Sequence, residues 1–146
     1  MALLNVFDVA GSAMAAQSVR LNTTASNIAN AQSVAANPDE TYRARHPVFA
    51  QQLATQQQLM GQSGAAAQNG GAGVQVLGIV ESQAPLEMRY EPDHPYANED
   101  GYVAYPNVSV VEEMANMISA SRSFQLNVEV LNTAKTLAER VLNLGQ

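Results

Sequence analysis

The residues best suited to chemistry crowd into one short run, YEPDHPYANED, from Tyr90 to Asp100. It holds Glu91, Asp93, His94, Glu99 and Asp100, and carboxylates with an imidazole form a donor set that a divalent metal accepts. A small metal-dependent enzyme is the activity such a cluster would support. The competing reading is an exposed, proline-braced turn whose polar groups face water, and the pattern favours it. The other histidine, His46, adjoins Pro47 and has no local partner pattern. The chain has no Gly-rich phosphate loop, no HExxH helix and no nucleophile elbow. Two N-x-S/T triplets begin at Asn22 and Asn107. Both fall in or beside predicted helices, where a glycan would obstruct packing. The expectation is a chain with no catalytic residue, no cofactor, no metal and no small-molecule substrate.

The elements that would position any site are set by a chain of 146 residues with net charge −6. That balance argues against nucleic acid as a partner. Charged residues make up only 14%, so much of the surface is suited to being covered by other protein. Cysteine is absent, which excludes disulfides and thiolate metal sites. The apolar runs fall short of the roughly 18 residues that span a bilayer. The first basic residue is Arg20, so the start lacks the pattern of a cleavable secretory signal.

Three segments follow. Residues 1–32 are predicted to form one helix. Phe7, Met14, Leu21 and Ile28 recur at heptad spacing, with Leu3, Ala10, Gln17 and Thr24 at the companion position. That pattern sets bulky residues on one line and small ones on the next. Residues 107–146 hold a longer helix. Ser109 to Glu112 reads as a capping box, and Val110, Met114, Met117, Phe124, Val128, Leu131 and Leu142 lie along its apolar line. Met114 and Met117 read as packing residues rather than ligands. The charges of this helix, among them Glu112, Glu113, Arg122, Glu129 and Lys135, lie mostly off that line and are expected in water. About 35 residues give a rod of roughly 50 Å.

Residues 33–106 form the middle insertion and carry eight acidic and three basic residues. Short strands are expected at Tyr42–Phe49, Gly73–Glu81, Leu86–Tyr90 and Tyr102–Ala104. Residues 50–60 fit strand or helix, and the Ala/Gln/Gly run from Gly61 to Gly73 reads as a flexible loop. The fold class is therefore mainly α with a small β-containing insertion, the terminal helices pairing as an antiparallel-type coiled coil. Near the end of the first helix, Asn27 and Asn30 flank Ile28. Polar residues beside a packed seam fix register, so both amides are assigned to a subunit contact, with their partners supplied in the assembly.

The segments FDVAGSAMAAQSVRLNTTASNIANA, YRARHPVF and YEPDHPYANEDGYVAYPNVSVVEEMANMISASRSFQLNVEVLNTAKTL resemble the bacterial flagellar axial proteins of the rod and hook, most closely those of the proximal rod. An asparagine-rich ending of the A-S-N-x-A-N type and the H-P…G-Y-V…P-N-V run carry the likeness. The resemblance implies a structural subunit without catalysis, whose terminal helices stack into the inner tube of a hollow helical rod. It implies a place in the basal body across the periplasm and export through the flagellar type III apparatus without signal cleavage. The implied partners are further copies, other rod proteins, the adaptor at the membrane-ring base and the distal rod. A needle or translocator component with a helical hairpin is the alternative assembly protein, and a homodimeric coiled coil is a third reading.

Overall fold

The computed structural model describes residues 2–52 and 73–144. Helix α1 spans Ala2–Asn30 and helix α2 spans Val110–Leu144. Between them lie strands β1 (Arg45–Gln52), β2 (Gly73–Glu81), β3 (Glu87–Tyr90) and β4 (Tyr102–Tyr105). The four expected strands are present: Gly73–Glu81 with both edges as expected, the strands ending at Tyr90 and starting at Tyr102 with one edge moved by a residue, and the first with both edges moved by three. The undecided stretch opens as strand through Gln52, and its remainder, with most of the Ala/Gln/Gly run, lies outside the described residues.

Each strand pair is a separate two-stranded antiparallel sheet. β1 pairs with β2 from Arg45 opposite Glu81 to Gln52 opposite Gly73, and a bulge at Val48/Phe49 leaves Leu77 as the extra residue. Such a bulge bends a strand and increases its twist. β3 pairs with β4 from Glu87 opposite Tyr105 to Tyr90 opposite Tyr102. Two-stranded sheets have too little face to stand alone. The first sheet leans on α1, which contacts both its strands as well as α2. At the point of closest approach, the Val74 amide donates to Ser12 Oγ at 3.1 Å. A Cβ at Gly73 would lie 2.7 Å from that oxygen, so glycine there keeps the strand end against the helix.

The helices start and stop for local reasons. Ser109 caps α2: its hydroxyl accepts from the Glu112 amide at 3.4 Å, the half of the expected capping box that satisfies a free helix N–H. α1 ends where the Asn30 side chain donates back to the Ser26 carbonyl at 2.8 Å and the Ser33 amide bonds the Asn30 carbonyl. A short 3-10 turn, Pro38–Glu40, follows, capped by the Asn37 side chain.

The core consists mainly of small residues. Ala10, Ala16, Ala31, Ala44, Ala104, Ala120 and Ala134 are buried, and Val103, Asn27 and Pro106 are the largest fully buried side chains. Burial scales with apolar area, at about 25 cal/mol per Å². An alanine core therefore permits close helix approach but contributes little per residue. The larger apolar side chains stay partly or wholly in contact with solvent.

Candidate assembly surface

Burial along α2 alternates in steps of three and four. Glu113, Ala120 and Ala134 are buried, with Met117, Phe124, Asn127, Leu131 and Ala138 half-buried between them. Steps of this kind hold one face against a partner helix. On α1 the buried residues are Ala10, Ala16, Thr23, Thr24 and Asn27, with Ala31 buried just past its end. The Thr23 and Thr24 hydroxyls donate to the Val19 and Arg20 carbonyls, so both fit inside without an unmet donor. Two contacts fix the alignment. Arg20 Nη2 donates to Asn116 Oδ1 at 2.8 Å, and Val6 lines one groove with Leu126, Val130, Ala134 and Leu137.

That alignment places each residue of the sequence-derived seam. Phe7, Met14, Leu21 and Ile28 are half-buried at the flank of the α1 contact, while Met117, Phe124 and Leu131 are half-buried in it. Val110, Met114, Val128 and Leu142 are on the exposed side, Leu142 at 73%. Met114 lies to one side of the Met117 line, and Val110, seven residues before Met117, stands on that line at the first residue of α2. Leu142 lies beyond α1: with Val6 beside Val130, Ala2 stands opposite a residue near 134, so α2 runs on by about 15 Å. Val111, Ile118, Leu126, Val130, Leu137 and Val141 are exposed as well. A set of this extent marks an interaction surface.

The opposite end of the helix pair is polar and closed. Asn27 is fully buried. Its Oδ1 accepts from the Tyr42 hydroxyl at 2.8 Å and from the Arg45 amide at 3.0 Å, and its Nδ2 donates to the Arg45 carbonyl at 2.8 Å. Asn107 grips the neighbouring residue: its Oδ1 accepts from the Ala44 amide at 2.8 Å, and its Nδ2 donates to the Ala84 carbonyl at 2.9 Å. The Ser82 amide bonds the Ala44 carbonyl. Two amides, one from α1 and one just before α2, thus hold the entry to β1 by its main chain. The sequence reading left the Asn27 amide to a partner in the assembly. The structure supplies its partners within the chain, because the segment after α1 doubles back onto it. The sequence singles out Asn107 only within a glycosylation triplet and within the P-N-V run of the resemblance, neither of which assigns it this role.

The Tyr90–Asp100 cluster forms the turn joining β3 to β4. The Asn98 side chain accepts from the Asp100 and Tyr102 amides at 3.1 and 2.8 Å. Gly101 has φ 81°, and a Cβ there would meet the Tyr90 ring at 3.0 Å. His94 Nδ1 accepts from the Tyr96 amide, and the Glu91 carboxylate accepts from the Tyr105 hydroxyl at 3.1 and 3.2 Å. Burial first, then this bond, raises the Tyr105 phenol above its ordinary range. Among the described residues no three His, Asp or Glu side chains are grouped to hold a metal ion. The polar groups of the turn organise its own backbone.

Two long helices with half-covered apolar faces, joined by two small sheets of which one leans on α1, are the architecture of a subunit that packs against other subunits. The family model "Flagella basal body rod protein" matches residues 7–37. The model "Flagellar basal body rod FlgEFG protein C-terminal" matches residues 99–144. The chain is 51% identical over 146 residues to flagellar basal-body rod protein FlgC of Salmonella typhimurium, with all of both chains covered. It is 50% identical to that of Yersinia enterocolitica, again over the whole of both. The protein of the same name from Borreliella burgdorferi is 33% identical, with all of this chain and 99% of the relative covered. The chain belongs to the flagellar basal-body rod protein family. It is accordingly a structural component of the basal body and not an enzyme.

Proposed function

We propose that this subunit polymerises through its terminal helices into the hollow proximal rod, which transmits torque and encloses the export channel. In this reading residues 1–32 and 107–146 are the axial helices, paired as an antiparallel coiled coil, and residues 33–106 insert between neighbours. The partners are further copies, other rod proteins, the adaptor at the membrane-ring base and the distal rod. The subunit reaches its place across the periplasm through the flagellar type III apparatus without losing a signal peptide.

The observation carrying this reading is the exposed apolar side of α2. Met117, Phe124 and Leu131 join α2 to α1, flanked by the Phe7–Met14–Leu21–Ile28 line. Val110, Met114, Val128 and Leu142 face outward and are assigned to neighbouring helices. Each large side chain then covered contributes roughly 1.5–3 kcal/mol. Asn30, half-buried at the end of α1, has its Nδ2 bonded to the Ser26 carbonyl within the chain, and its Oδ1 remains assigned to a subunit contact. Asn27 acts beneath it by fixing the β1 entry.

The test is Leu131→Asp, expected to be synthesised and exported but absent from isolated basal bodies. Leu131 also packs within the chain, so Leu142→Asp is its companion. Leu142 is exposed, and its substitution leaves the fold intact while excluding the subunit from the rod. Incorporation of both variants at wild-type levels would contradict the reading.

A further inference from the structure

Each two-stranded sheet has one edge closed and one left open. In the first sheet, the amide and carbonyl of Arg45 point away from β2 and are both taken by Asn27. Outward-pointing residues alternate along a strand, so Pro47 is the next on that edge, and proline has no amide to offer. The edge of β1 is thereby closed. Glu81 and Ile79 stand opposite Arg45 and Pro47 and point their main chain outward from β2. Among the described residues neither amide has a partner, nor does the Ile79 carbonyl. Leu77, Ile79 and Val80 along this edge are more than half exposed.

The second sheet repeats the arrangement. On β4 the Tyr102 amide donates to the Asn98 side chain and its carbonyl accepts from the Asn98 amide, which closes that edge. Tyr90 stands opposite Tyr102, so Tyr90 and Met88 point their main chain outward from β3. These groups too have no partner among the described residues, and both side chains are exposed. Natural edges are guarded by charge, proline or a covering element. The charges here are neutralised in pairs, Arg45 with Glu81 and Arg89 with Glu87. The link between β2 and β3 is tied down: the Ala44 carbonyl holds the Ser82 amide, and Asn107 holds the Ala84 carbonyl. The two open edges of one chain therefore stay in separate sheets.

We propose that the open edge of β2 pairs with the open edge of β3 of a second copy, joining two small sheets into one of four strands across the subunit contact. The inference rests on the rod reading above and names one contact made by its middle region. Outward residues lie two apart on both strands, so antiparallel pairing sets Ile79 opposite Tyr90 and Glu81 opposite Met88. The first of these is an aromatic–β-branched pair, a favourable cross-strand combination. Strand addition of this kind takes its affinity from main-chain hydrogen bonds, and it gives each two-stranded sheet the further strands it needs. Because β2 and β3 are different surfaces, the contact is heterologous and can propagate a helical assembly.

Ile79→Pro removes only an outward amide, whereas Val80→Pro removes one that faces β1. The melting temperature of free Ile79→Pro is expected to stay close to that of the natural chain, and that of Val80→Pro to fall. Recovery of Ile79→Pro in isolated basal bodies is expected to drop roughly tenfold, the scale of a lost hydrogen bond and the ring that replaces it. Ile79→Val keeps the amide and is expected to be incorporated normally. The natural chain has no cysteine, so crosslinks are unambiguous. In the proposed register Val80 faces Arg89 of the second copy in a non-hydrogen-bonded pair, about 4.5 Å between Cα atoms, within disulfide reach. Basal bodies built from a mixture of Val80→Cys and Arg89→Cys chains should yield an oxidised dimer that neither variant forms alone. Absence of that dimer, or equal destabilisation of the free chain by both proline variants, would overturn the proposal. Full incorporation of Ile79→Pro while Leu142→Asp stays excluded would overturn it and leave the rod reading standing. Full incorporation of both would overturn the two together.

Discussion

The two ends of the helix pair differ in kind. Where α1 turns back toward β1, Asn27, Tyr42, Arg45 and Asn107 close a network of hydrogen bonds within one chain. At the other end, Val6, Leu126, Val130, Leu137, Val141 and Leu142 are apolar and exposed. Their positions explain the difference. Polar groups are costly to bury unless their partners are fixed, and the turn after α1 brings those partners at short range. Apolar side chains need only area, and area can be supplied by another molecule. The polar end therefore specifies the shape of the subunit, and the apolar end is left for its neighbours to cover.

The contrast predicts how free-chain stability responds. Asn27→Ala has the largest effect. It removes the side-chain partners of the Arg45 amide and carbonyl and leaves the Tyr42 hydroxyl only Ser26 Oγ at 3.3 Å, a loss of about 2–4 kcal/mol. Thermal unfolding should show it as a drop of roughly 5–15 °C. Asn107→Ala comes next at about 1–3 kcal/mol, since it frees the Ala44 amide from the second grip on the same strand. If either variant melted like the natural chain, the junction would not be what fixes the β1 entry. Tyr42→Phe removes one donor and keeps the ring, for about 1 kcal/mol in denaturant titrations. Glu81→Gln breaks the Arg45–Glu81 pair, whose side chains are about half exposed, and costs under about 1 kcal/mol. Leu142→Ser should change free-chain stability least, within about 0.5 kcal/mol. It is nonetheless expected to cut recovery in basal bodies, which would separate assembly from folding at a single position.

Much of this was legible along the chain. Both helices, the Ser109 cap and all four strands follow from periodicity and local turn chemistry, which act over a few residues. Met117, Phe124 and Leu131 were legible as one line because heptad spacing survives in any partner arrangement. What spacing does not carry is the alignment of two helices more than a hundred residues apart. That alignment decides that Leu142 lies beyond α1, that Met114 faces out and that Glu113 faces in. Asn27 was marked as unusual from its type, but its partners lie across a reversal of the chain that no local pattern specifies. Asn107 became visible only when Ala44 was placed beside it.

The most direct test compares amide hydrogen exchange of the free subunit with that of the subunit in isolated basal bodies. The Ala44 and Arg45 amides, held by Asn107 and Asn27, should exchange slowly in both. The α2 amides beyond Ala134 should exchange quickly in the free subunit and become protected in the rod. Equal protection beyond Ala134 in the two states, or free exchange at Arg45 until assembly, would contradict a subunit closed at its polar end and completed by its neighbours at the other.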